Sequence, residues 1–88
     1  MEKSIHSSQY VAFLKVLRQA RRDAGLTQVQ LSQKLGETQT FVSKCERGER
    51  RIDIVELRAF CAAVGIPLKE FVTVFERAVK SAPGRSRA

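Results

Sequence analysis

Glycine interrupts this chain at Gly25, Gly36, Gly48 and Gly65, each time just past a run whose apolar residues recur at helical intervals. A glycine beyond such a run is the residue on which helices most readily stop, so the chain is divided into short helices. The residues that open each run agree with this division. Ser8 stands before Tyr10, Phe13, Leu14, Leu17, Ala20 and Ala24, and is the expected cap of the first helix. Thr27 with Gln30, and Asp53 with Glu56, have the spacing of a capping box, in which the cap and the third helical residue satisfy one another's free amides. Thr38 is the expected cap of a helix from Gln39 to Arg47, and Pro67 fits the first turn of a fifth helix, where its missing N–H costs nothing. With no alternating strand pattern and no internal repeat, the expectation is an all-α fold, a compact five-helix bundle.

A chain of 88 residues is sized for one domain with one core. The expected organisation is a flexible segment over 1–8, a folded body over 9–80 and a small, basic, disordered tail over 81–88. Inward faces are expected at Leu31 and Leu35 on the second helix, at Phe41, Val42 and Cys45 on the third, and at Ile54, Leu57, Cys61 and Val64 on the fourth. The fifth helix carries a wider apolar arc of Leu68, Phe71, Val72, Val74, Phe75, Ala78 and Val79. Cys45 and Cys61 fall on these faces as buried structural thiols, and with the lone His6 they form no metal-ligand spacing. No metal or other cofactor is expected, no small-molecule ligand is evident, and without paired carboxylates or a nucleophile beside a base the chain does not read as an enzyme.

Charge narrows the partners. Sixteen Lys and Arg against nine acids give a formal net charge of +7, which favours a polyanion, either nucleic acid or an anionic membrane surface. No run approaches the roughly 18 apolar residues that span a bilayer, and the start of the chain lacks a signal-peptide core, so a cytoplasmic protein is expected.

The second and third helices, joined through "LGET", have the layout of a helix-turn-helix, whose second helix enters the major groove of DNA. On that helix Thr40, Ser43, Lys44 and Arg47 lie at i, i+3, i+4 and i+7, one polar stripe of short donors and acceptors with two cations. Such side chains reach base edges, and a stripe of this kind is also what a solvated helix face shows. Glu46 poses a separate problem. It sits at the edge of the apolar arc of Phe41, Val42 and Cys45, where a carboxylate is costly unless it is paired.

From Leu17 to Val72 the chain resembles the phage-repressor and Cro type of helix-turn-helix domain, the XRE family. The resemblance is carried by Arg21, by "GLTQ" from Gly25 to Gln28, by Leu31, Leu35 and Gly36, by "VSKCERG" from Val42 to Gly48, and by "AVGI" before the last helix. It implies that Gln28 bonds a phosphate and braces Gln39, and that Gln39, Thr40, Ser43 and Lys44 touch bases. Gln39 suits adenine and Lys44 suits guanine. Thr38, Arg47, Arg50 and Arg51 would then meet phosphate. Phe41 either packs at the helix edge or touches a thymine methyl or the sugar backbone. The resemblance also implies that Glu46 faces back into the domain and pairs with Arg21, and the small Cys45 departs from the larger apolar residue usual beneath the recognition helix.

The expected function is a sequence-specific DNA-binding transcription regulator, a repressor that binds double-stranded DNA as a homodimer on a palindromic operator. Phe71, Val74, Phe75 and Ala78 are the candidate dimer surface, the other reading being that the long first helix, with Tyr10 and Phe13, covers them. An antitoxin-like or adaptor module that holds a protein partner through the fifth helix, with weak DNA binding, is the alternative.

Overall fold

The computed structural model describes residues 7–81, which form five α-helices. They are α1 (Ser8–Asp23), α2 (Gln28–Leu35), α3 (Gln39–Arg47), α4 (Ile54–Val64) and α5 (Leu68–Ser81). Expectations about residues 1–6 and 82–88 lie outside the described residues. Ser81, expected in the tail, is the last residue of α5.

The helix starts are built by the side chains that the spacing suggested, with two shifts of one residue. Ser7, not Ser8, caps α1, its hydroxyl accepting from the Tyr10 amide at 3.0 Å. Ser8 is instead the first residue of α1. Both capping boxes form: Thr27 with Gln30 at 3.0 and 2.9 Å, and Asp53 with Glu56 at 2.7 and 3.0 Å. Thr38 caps α3 by accepting from the Phe41 amide at 3.0 Å. Pro67 lies just ahead of α5, and its carbonyl accepts the Phe71 amide at 3.0 Å.

Between α2 and α3 the direction changes within Gly36, Glu37 and Thr38. Gly36 takes φ +70°, a left-handed conformation that costs most other residues about 1 to 2 kcal/mol. Glu37 then bonds back to the Ser32 carbonyl at 2.9 Å, closing the end of α2.

The core draws Phe13, Leu14, Val16 and Leu17 from α1, Leu31 from α2, Val42 and Cys45 from α3, Leu57, Phe60 and Cys61 from α4, and Phe71 from α5. The Phe13 ring joins α1 to α5, lying 5.9 Å from Phe71 and 6.0 Å from Phe75 between centroids. Three expectations about inward faces are corrected. Ile54 is 61% exposed, because it occupies the first turn of α4 beyond the edge of the core, while Phe60 fills the inward position. Val72 is 45% exposed. Phe71, expected on a dimer surface, is 1% exposed and closes the core beneath α1, so it is unavailable to a partner. Val74, Phe75 and Ala78 are partly buried against the same core. An apolar groove of about 470 Å³ remains between the start of α1, the loop before α4, and α5, with Ile54, Val72 and Phe75 in its wall.

Candidate nucleic-acid interface

One side of α3 is buried and the other is open, as the alternation of its residue types requires. Val42, Cys45 and Glu46 face the body, whereas Gln39, Thr40, Lys44 and Arg47 are exposed and Ser43 is half-buried. Thr38, at the cap, is also exposed. Because its oxygen accepts the Phe41 amide, its hydroxyl hydrogen is left to donate outward.

Glu46 is the polar anchor of this helix. Its carboxylate is 1% exposed and meets Arg21 in a forked pair, with Arg21 Nε at 2.7 Å from Oε2 and Nη2 at 3.1 Å from Oε1. The remaining Arg21 nitrogen donates to the Leu26 carbonyl at 2.9 Å, at the turn into α2. Gln28 adds a third donor to Glu46, its Nε2 lying 3.0 Å from Oε1. A buried carboxylate needs this degree of satisfaction, since each unmet acceptor would cost its full desolvation. The Gln28 carbonyl oxygen in turn accepts from Gln39 Nε2 at 2.7 Å. A continuous chain of polar contacts therefore runs from α1 through α2 to the exposed start of α3.

Two further features hold α3 to the body. Arg18 Nη1 donates to the main-chain carbonyl of Glu46 at 2.8 Å, where the last turn leaves carbonyls without helical partners and a cation is favoured. The sequence reading missed Arg18. The available signal was its spacing, one helical turn before Arg21 and on the same face. The Phe41 side chain is half-buried with its ring 6.3 Å from Phe60, which is partial packing at the helix edge.

The arginines expected on phosphate are engaged within the molecule. Arg47 bonds Glu49 at 2.9 and 3.2 Å and also donates to Ser43. Arg50 pairs with Glu56 at 2.8 and 3.0 Å and lies over the Phe41 ring at 4.8 Å. These partners hold the Glu49 and Glu56 carboxyls below the usual carboxylate range and push both guanidiniums up, hydrogen bonding being the main cause in each. Arg51 stands apart from the stripe, over the Tyr10 ring at 4.8 Å and in the wall of the groove. Burial pushes up the thiols of Cys45 and Cys61, Arg50 opposing the effect at Cys45.

Among the described residues no cluster of His, Cys, Asp and Glu could hold a metal ion, and no helix is long and apolar enough to cross a membrane. A short helix held proud of a braced helical scaffold, with its polar side outward, defines the helix-turn-helix class of DNA-binding domain. Residues 17–71 match the family described as Helix-turn-helix. An uncharacterized HTH-type transcriptional regulator, y4dJ, from Sinorhizobium fredii (strain NBRC 101917 / NGR234) is 36% identical over 53 residues, covering 60% of this chain and 69% of that one. An XRE-family like protein from Pseudomonas syringae pv. tomato str. DC3000 superposes with a TM-score of 0.77 at 40% identity, over 84% of this chain and 90% of the other. The chain belongs to the XRE type of the helix-turn-helix family, a family of DNA-binding transcription regulators.

Proposed function

We propose that the protein is a sequence-specific repressor that lays α3 in the major groove of a palindromic operator and binds it as a homodimer in the cytoplasm. The observation that carries this reading is the exposed edge of Gln39, Thr40, Ser43 and Lys44, fixed to the scaffold through Gln28, Glu46 and Arg21. Gln39 reads adenine, Lys44 reaches guanine O6 or N7, and Thr40 and Ser43 make less discriminating contacts. Gln28 keeps one amide hydrogen for a phosphate beyond the one it gives to Glu46, and Thr38 keeps its hydroxyl hydrogen. Arg47, Arg50 and Arg51 complete the phosphate contacts by turning from their internal partners. In this reading repression follows from occupancy of the operator.

Two copies related by a two-fold axis would place their recognition helices about 34 Å apart, one turn of DNA. The surface we assign to this contact is the groove rim, Ile54, Val72 and Phe75, with the exposed Val55 beside it. Replacing Ile54 by Lys should convert a dimer to a monomer in sedimentation while the helical circular dichroism of the native sequence is kept.

The same groove favours a second reading, an antitoxin-like or adaptor module that seats a protein partner there and binds DNA weakly. Titration of a selected operator against random duplex separates the two. A repressor should prefer its operator by about 10³ or more, whereas equal affinity for both duplexes would favour the module. Lys44→Ala should relax preference at one base pair by about 1 to 3 kcal/mol, and Arg50→Ala should weaken all sequences alike. Identical effects from the two changes would overturn the division between reading and anchoring.

A further inference from the structure

A carboxylate can only accept hydrogen bonds, and this one-sidedness has a consequence at the far end of the polar chain. Glu46 Oε1 receives Gln28 Nε2 at 3.0 Å, so the Gln28 amide is oriented with its NH₂ toward Glu46. Its carbonyl oxygen must then face the other way, where only a donor can meet it. Gln39 supplies that donor, with Nε2 at 2.7 Å. One of the two Gln39 amide hydrogens is consumed inward, and the exposed edge retains one N–H beside one carbonyl oxygen. We propose that Glu46 is a specificity-determining positioning residue, which sets the hydrogen-bond polarity of Gln39 through Gln28. This inference rests on the reading of α3 as a major-groove helix.

The donor and acceptor left on Gln39 match adenine, whose N7 accepts and whose N6 amino group donates. They mismatch guanine, whose O6 would face the Gln39 carbonyl oxygen. Reversing the relay reverses the outcome. If a donor replaced the Glu46 acceptor, Gln28 would turn its oxygen inward and its NH₂ toward Gln39. The Gln39 carbonyl would then accept inward and both its amide hydrogens would face the groove, a pattern that suits the two acceptors of guanine. The buried pair with Arg21 thus holds the polarity as well as the helix: its forked geometry fixes the carboxylate that the first glutamine reads.

The test uses the whole protein and a duplex selected by it from a random-sequence pool. The base pair read by Gln39 is identified as the one whose preference disappears in Gln39→Ala, and it is then replaced by each of the other three. Because Arg21 Nη2 also donates to the oxygen that faces Gln28, Glu46→Gln is made together with Arg21→Met, which frees the new amide to donate toward Gln28; this double variant should cut the adenine-over-guanine preference at that pair by about tenfold, within the range of one bidentate contact. Preference at the base pair read by Lys44 should stay unchanged, and in the Gln39→Ala background the double change should have no further effect at the tested pair. Gln28→Met, which cuts the relay and leaves both Arg21 contacts to Glu46 in place at the cost of one donor to the carboxylate, should also lower that preference and serves if the double variant fails to fold. Unchanged preference at the tested pair in both variants, or an equal loss at every position, would overturn the inference while leaving sequence-specific binding intact. A wild-type protein with no base preference at any position would overturn the reading of α3 and this inference together.

Discussion

Glu46 is a carboxylate with almost no water around it, and its three side-chain donors come from two other helices. Removing one member of such a pair leaves a charge buried without compensation, which costs more than the pair itself contributes. Glu46→Ala and Arg21→Ala should each lower the unfolding free energy by about 3 kcal/mol in urea denaturation, and the double variant should cost clearly less than the sum. An additive result would mean that the contact carries no coupling. Cys45 and Cys61 impose a different dependence, because burial raises both thiols above their ordinary value. Since the folded pKa is the higher one, the unfolded chain releases its thiol protons first as pH rises. Their contribution is therefore complete below the ordinary thiol value, about 8.5 in peptides, and is lost progressively above it. Stability measured at about pH 7 and again at about pH 9.5 should fall more in the native sequence than in Cys61→Ala; equal falls would place the alkaline sensitivity elsewhere.

At the scale of the helix, capping and recognition meet in one hydroxyl. Thr38 caps α3 with its oxygen and offers its hydrogen outward, so the two roles are separable by charge. Thr38→Ala should cost about 1 kcal/mol of stability through the lost cap. Thr38→Asp restores an acceptor that the helix N-terminus favours, yet it sets a negative charge against phosphate; stability should return while affinity for every duplex falls by about tenfold or more. A variant that regains both would place Thr38 off the DNA backbone. The helix boundaries were legible because caps are local chemistry: Thr27 with Gln30 and Asp53 with Glu56 declare themselves within four residues. Inward faces were less legible where a helix is apolar over much of its circumference. In α4 the choice between Ile54 and Phe60 is made by the helices packed against it, and in α5 Phe71 is claimed by Phe13 of α1. For the same reason the family resemblance supplied the Arg21 and Glu46 pair, whereas the Arg18 contact and the bond from Gln28 to Glu46 emerge only when α1, α2 and α3 are assembled.

For the molecule as a whole, a net charge of +7 draws it to any duplex, and the acids near the recognition helix moderate that attraction. Arg47 is matched by Glu49 and Arg50 by Glu56, so a guanidinium that turns to a phosphate leaves its carboxylate behind, close to the DNA. Each such acid opposes binding whatever the base sequence, and salt screens the opposition as it screens the attraction. Glu49 is the cleaner of the two to change, because Glu56 also belongs to the cap of α4 and its loss would disturb the fold. Glu49→Gln should tighten binding to operator and random duplex by the same factor, several-fold at low salt, leaving their ratio unaltered. The gain should shrink as salt is raised, and log affinity should fall more steeply with log salt than in the native sequence. Measuring both duplexes across a salt series checks each part. A gain confined to the operator would place Glu49 beside a base edge, and an affinity that falls on losing the acid would make the Arg47 pair a scaffold for binding, holding the guanidinium where phosphate finds it.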